Sequence, residues 1–294
     1  MKWDDNGPSQ DLEDRRGESG GGGGGGGFRL GGGRLGIGGF LVLLVLSVVF
    51  KTDLTGALGG GGGLPAETAP ASGPARAPAQ STPAEEQLVR FMSFVLDDAQ
   101  DNWARIFAEA GREYPRARLV LFRNQVNTGC GGATSASGPF YCPADQKVYI
   151  DLDFYDELRK RFGAPGDFAQ AYVLAHEIGH HVQNALGTER QMRRLQQQNP
   201  GAKNELSVRL ELQADCYAGI WGRHAKEAGR LEDGDVDEAL RAASAVGDDR
   251  IGEMTGSAIR PESFTHGSAA QRMTWFRRGF ETGRADACDT FASR

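Results

Sequence analysis

From Glu85 to Gly111 apolar residues return every three or four positions: Leu88, Phe91, Met92, Val95, Ala99, Trp103 and Ile106. That period predicts a helix with one buried face. Leu119–Val126 is a short apolar run and predicts a strand. Gln146–Phe154 alternates, with Val148, Ile150 and Leu152 on one side and Tyr149, Asp151 and Asp153 on the other, and reads as a half-buried strand. Residues 129–143, between the two, read as a loop. Four further helices are expected: 168–186, 204–224, 235–246, and one from Ser268 to Gly279 or Gly283. Asp167/Gln170, Asp235/Glu238 and Ser268/Gln271 have the spacing of capping boxes, and Gly187 reads as a helix stop.

The first part of the chain is patterned differently. Residues 1–34 are polar and carry a glycine run through Gly21–Gly27, and 52–84 are rich in Gly, Pro and Ala. Neither has the apolar surface to offset the entropy of ordering, so both are expected to be disordered, the first as a cytoplasmic segment and the second as a linker. Leu35–Phe50 is uncharged and apolar. With Arg34 and Lys51 at its ends, it is expected to be a single signal-anchor helix over 35–51. Arg15, Arg16, Arg29 and Arg34 precede it and only Lys51 follows closely, which places the N-terminus in the cytoplasm and the rest outside the membrane. Residues 85–294 remain as the domain with a core. The net charge is −6 and no basic patch occurs, which argues against nucleic acid as a partner. Cys130 with Cys142, and Cys216 with Cys288, are the disulfides expected in an oxidising compartment, the first the stronger expectation. No C-x-x-C spacing suggests a cysteine metal site.

The chemistry concentrates in His176-Glu177-Ile178-Gly179-His180. On a helix His176 and His180 are one turn apart on one face and suit one zinc ion, while Glu177 suits a general base. The H-E-x-x-H-x-x-G-x-x-H pattern fails, because Asn184 and Gly187 do not fit it. The third ligand is therefore expected from another segment. Glu211, on a helix flanked by Leu210, Leu212, Cys216 and Ile220, is the candidate. Asp215, four residues on, is expected to hold the outer nitrogen of a ligating histidine. His181 points away from the ligand face and reads as structural or surface, and His224 as incidental.

Several blocks together resemble one family. They are TGCGGATSASGPFYCPADQKVYIDLDFYDEL (128–158), AHEIGHHVQ (175–183), RLELQADCYAGIWG (209–222), GDDRIG (247–252) and FTHGSAAQRMTWFRRGF (264–280). From about Phe91 to Phe291 the chain is similar to the membrane-anchored neutral zinc metallopeptidases of the YpfJ type, and more widely to the gluzincins. The resemblance implies that His266 stabilises an oxyanion and that Arg272 either orients His266 or pairs with an acid. It also implies that a peptide substrate adds as a strand beside residues 146–154.

The expected fold is therefore α+β: a zincin-like domain with a small sheet packed on several helices, behind a single N-terminal transmembrane helix. The expected function is zinc-dependent hydrolysis of peptide bonds, with one catalytic Zn2+. The rivals are a non-catalytic zinc-containing envelope assembly or binding factor, and a zinc hydrolase of cell-wall amides.

Overall fold

The first long helix begins slightly before its predicted start. In the computed structural model, which describes residues 1–18 and 81–292, Thr82 caps helix α1 (Pro83–Glu109), and Glu85 returns the bond to the Thr82 backbone. A four-stranded sheet follows, in spatial order β1-β2-β6-β5. β1 is Leu12–Asp14, β2 is Arg118–Phe122, β5 is Phe140–Cys142 and β6 is Lys147–Asp151. β1, β2 and β6 run parallel and β5 runs antiparallel to β6. β3 (Gln125–Thr128) and β4 (Gly131–Thr134) form a separate hairpin, β3 starting at the end of the predicted 119–126 strand and β4 lying inside the predicted 129–143 loop. Asn124, at φ 63°, breaks the predicted 119–126 strand between β2 and β3.

The alternation in β6 predicted one wet face, yet both faces are buried. Val148 and Ile150 join the main core, while Tyr149 packs in a second cluster with Val120, Phe122, Val126 and Cys142. The β3–β4 hairpin supplies Val126 to that second cluster, which is why the polar-looking side is dry. β6 is also flanked by β2 on one side and, along Lys147–Tyr149, by β5 on the other. Residues 146–154, where a substrate strand was expected to add, therefore lie inside the sheet along Lys147–Tyr149, and β5 is the outermost strand on that side.

Helices make up the rest: α2 (Asp153–Lys160), α3 (Asp167–Leu186), α4 (Thr188–Gln198), α5 (Lys203–Glu227), α6 (Asp235–Ala245), α7 (Asp248–Thr255) and α8 (Ala269–Thr282). The Ser268/Gln271 capping box forms at α8. The other two do not form. Gly166 and Gly234 occupy those N-cap positions, and Glu238 instead accepts a bond from the Phe168 backbone N–H at the start of α3. Tertiary packing has turned a local cap into a bridge between helices. Two glycines set the α5–α8 crossing. A Cβ on Gly279 would lie 1.9 Å from the Cys216 carbonyl oxygen, and one on Gly219 would lie 2.1 Å from that of Phe276. Cys216–Cys288 then ties the end of the chain to α5, and Cys130–Cys142 ties the hairpin to β5. A cross-link spanning 72 residues removes roughly 4 kcal/mol of unfolded-chain entropy in the loop-closure picture.

The expected fold class needs correction at its N-terminal end. The predicted span, 35–51, lies outside the described residues, as does most of the predicted linker, and among the described residues no helix is long and apolar enough to cross a membrane. The domain is mixed α/β and mostly helical, and a single N-terminal transmembrane helix is not supported. The sheet gives the physical reason. Residues 1–18, expected to be disordered, belong to the folded body: β1 pairs with β2 in the register Leu12↔Leu119, Trp3 packs edge-on against Phe91, and Arg16 is buried between Asp14 and Glu86. The N-terminal ammonium lies 2.7 Å from Asp167 at the start of α3. A single crossing between residues 18 and 81 would put paired strands on opposite sides of a bilayer. Arg15 and Arg16, counted as flanking charges, are engaged with Glu18, Asp14 and Glu86 instead.

Removing residues 1–18 should cost stability, because burial of a large apolar side chain is worth about 1.5–3 kcal/mol and Met1, Trp3 and Leu12 all pack on the core. Urea unfolding of the full chain and of one starting at residue 81 tests this; coincident midpoints would refute it.

Candidate active site

α3 carries His176, Glu177 and His180 through its buried middle. α5 crosses it closely: a Cβ on Gly179 would meet the Ala214 carbonyl oxygen at 2.9 Å. The glycine inside the H-E-x-x-H run therefore lets the α5 backbone approach until Glu211 and Asp215 reach the two histidines. Glu211 Oε2 lies 3.3 Å from His176 Nε2, and Oε1 lies 3.5 Å from His180 Nε2. One ligand atom from each of these three residues falls within 4.8 Å of the others, a grouping suited to a metal ion.

The outer nitrogens are both held. His176 Nδ1 donates to Asp215 Oδ1 at 2.9 Å, and His180 Nδ1 donates to Gln183 Oε1 at 2.8 Å. With Nδ1 bonded in each ring, Nε2 is the nitrogen turned toward Glu211 and the one each ring would offer to zinc. Asp215 is fully buried. It also accepts from the Tyr172 hydroxyl at 2.5 Å and from Arg272 Nε and Nη2 at 2.8 and 2.9 Å. Burial alone would raise the Asp215 carboxyl, but the Arg272 charge and these bonds hold it below the usual carboxylate range. Arg272 thus takes the second of its two expected roles and pairs with an acid.

His266 sits just ahead of α8. Asp248, the first residue of α7, accepts backbone N–H bonds from Thr265, His266 and Gly267 on one oxygen, at 2.7, 2.7 and 3.0 Å. Its other oxygen is 3.1 Å from His266 Nδ1. Burial would lower His266, but its bond to Asp248 and the nearby Glu211 charge raise it. The same bond and backbone donors keep Asp248 low against its own burial. His266 is therefore clamped beside the site with Nε2 free of Asp248. Glu177 is 7% exposed, and burial raises its carboxyl against the pull of His180 and His176. A raised, buried carboxyl is the form suited to exchanging protons near neutral pH.

Asp248, Tyr172 and Gln183 went unassigned from sequence. Asp248 and Gln183 lie inside the GDDRIG and AHEIGHHVQ blocks, so a signal existed, but their partners are set by tertiary contact. His181 is buried and bonded to Tyr141 and to the Pro115 carbonyl, a structural role that joins β5 to α3. His224 faces Asp98 at 3.7 Å.

Two histidines one helical turn apart and a glutamate from a second helix, with a buried acid beside them, could hold one metal ion. The chain belongs to the neutral zinc metallopeptidase family: the family model described as "Putative neutral zinc metallopeptidase" matches residues 1–291. It is 46% identical to "Uncharacterized protein YpfJ" of Escherichia coli (strain K12), over 99% of each chain. It is 49% identical to "Uncharacterized protein Rv2575" of Mycobacterium tuberculosis over 61% of this chain and 64% of that one. No solved structure matches. The family implies zinc as cofactor, and the residues fit it: two imidazoles with fixed outer nitrogens and one carboxylate leave a fourth position open.

Without a metal, the Glu211 carboxylate outweighs burial and pushes His180 up to about 9. Zinc binding must then displace a proton held at neutral pH. Apparent zinc affinity should rise with pH by at least about tenfold per unit, more steeply where His176, also raised by Asp215 against its burial, must give up a proton too, and should level off above about 9. Competition titrations against a chelator from pH about 6 to about 10 measure this, and a flat profile would contradict it.

Proposed function

We propose that this chain is a zinc-dependent peptidase that hydrolyses peptide bonds at the site formed by His176, His180 and Glu211. One observation carries the reading: Glu177 sits buried next to the metal-ligating pair with its carboxyl raised, and it is not needed to complete the metal set. A purely structural zinc site would have no use for it.

Zinc held by the three ligands would supply Lewis acidity, making a water acidic and an amide carbonyl more electrophilic. Glu177 would accept a proton from a water attacking the carbonyl carbon. As the C–N bond breaks, the same carboxyl delivers the proton to the leaving nitrogen. His266, protonated and aimed by Asp248, donates to the oxyanion that forms. Asp215 and Arg272 keep His176 in place through both steps. A peptide strand has an edge to bind along in β5, whose Tyr141 hydroxyl also bonds His181 and Asn184 of the catalytic helix. The two disulfides favour work in an oxidising, extracytoplasmic compartment.

The test is to incubate the zinc-loaded full chain with a diverse peptide library and read new termini by mass spectrometry. The wild type should cut, and Glu177→Gln should lose about 10²–10⁴ in kcat/KM with its zinc retained. An active Glu177→Gln protein, or a zinc-loaded wild type that cuts no peptide, would sink the reading. Cleavage of cell-wall amides alone would move the assignment to that substrate class.

His266→Ala should lower kcat by about 10²–10³ with little change in KM, because the donor acts on charge that develops only in the transition state. An equal effect on KM alone would mean that His266 only binds substrate.

A further inference from the structure

We propose that Gln183 is a positioning residue for the metal site: it fixes the tautomer and ring plane of His180 and ties that histidine to the α5 backbone one residue ahead of Glu211. The inference rests on the zinc reading above and adds a residue to it.

Gln183 is fully buried, and its amide oxygen and both amide N–H groups are bonded. Its Oε1 takes the Nδ1–H of His180 at 2.8 Å. Its Nε2 donates to the Leu210 carbonyl at 2.7 Å and to Gln213 Oε1 at 3.1 Å. Gln213 Nε2 in turn donates to the Cys288 carbonyl at 3.0 Å. The direction of every bond in this chain follows from its two ends. A backbone carbonyl can only accept, so Cys288 demands the amino group of Gln213 and turns the Gln213 oxygen toward Gln183. That oxygen and the Leu210 carbonyl both demand the amino group of Gln183. The Gln183 oxygen is then left for His180, which must carry its proton on Nδ1 and present the Nε2 lone pair to a metal. Flipping the Gln183 amide would bring its oxygen against two other acceptors.

His180 is thus oriented by a neutral relay, whereas His176 is oriented by Asp215 and its Arg272 counter-charge. The relay ends at Cys288, which the disulfide to Cys216 fastens to the same helix that bears Glu211. The lateral position of His180 and the axial position of Glu211 therefore depend on one side chain, through a bond to the ring and a bond to the Leu210 carbonyl.

The experiment compares zinc affinity, the visible spectrum of the Co2+-loaded protein and thermal unfolding of the metal-free protein for the full chain and three variants. Gln183→Met keeps the volume and removes the hydrogen bonds. It should weaken zinc binding by about 10–100-fold and shift the Co2+ bands. Gln213→Met, one bond further from the metal, should act in the same direction by a smaller factor, and serves if Gln183→Met fails to fold. Gln196→Met is the control. Gln196 is also buried and bonded, to the Lys203 carbonyl and Ser207, but has no path to the histidines; its zinc affinity and spectrum should match the wild type. Zinc affinity within about twofold of wild type in Gln183→Met, or an equal loss in Gln196→Met, would overturn the inference. A wild type that binds no zinc would reject the zinc reading itself, and this inference with it.

Discussion

The Asp215 carboxylate is the interaction on which the site depends. Removing a charged carboxyl from water costs several kcal/mol, and only good geometry with full hydrogen bonding offsets it. Here the compensation comes from two other helices: Tyr172 and His176 on α3, and Arg272 on α8. Because the partners are spread in this way, the carboxylate is satisfied only when the helices are assembled together. Loss of either charged partner would leave the other buried and uncompensated. The same acid that orients His176 thus also reports correct packing of the three helices.

That arrangement needs the backbones to come close, and three glycines permit it at two crossings. Gly179 admits α5 against α3, and Gly219 and Gly279 admit α8 against α5. A side chain at any of these points would meet a carbonyl oxygen of the neighbouring helix. The approach at Gly179 is what allows Glu211 to reach inner nitrogens while Asp215, one turn away, reaches an outer one. The aromatic core under α1, with Trp103 on Tyr217 and Trp221 stacked on Phe168, supports the far sides of the same helices. The polar contacts therefore sit on a packed base rather than in a loop.

Local signals were read well where the interaction is local. The period of α1, the motif helix, the α5 helix and the Ser268/Gln271 cap all follow from neighbours within one or two turns. Readings failed where distant chain decides the outcome. Asp167/Gln170 and Asp235/Glu238 have capping-box spacing, but Asp167 meets the N-terminal ammonium and Glu238 caps a different helix. The alternating strand 146–154 looked half-exposed because nothing nearby in sequence announces the hairpin cluster that covers it. Residues 1–18 look too polar to fold, yet they are ordered by pairing with β2, whose sequence lies about a hundred residues on.

What the sequence determined by itself is the chemistry of the inner ring. His176 and His180, four apart, share one face of their helix, and Glu211 and Asp215 share a face of theirs for the same reason. These are consequences of 3.6 residues per turn and need no tertiary knowledge. Tertiary structure alone decided which outer groups hold those ligands: Arg272 on Asp215 rather than on His266, Asp248 on His266, Gln183 on His180. It also decided that the N-terminal strand lies inside the domain, and that β5 rather than β6 is the outer strand. Each of these is a contact between segments far apart in the chain, set by which helix faces and strand edges remain to be buried or paired once the local elements have formed.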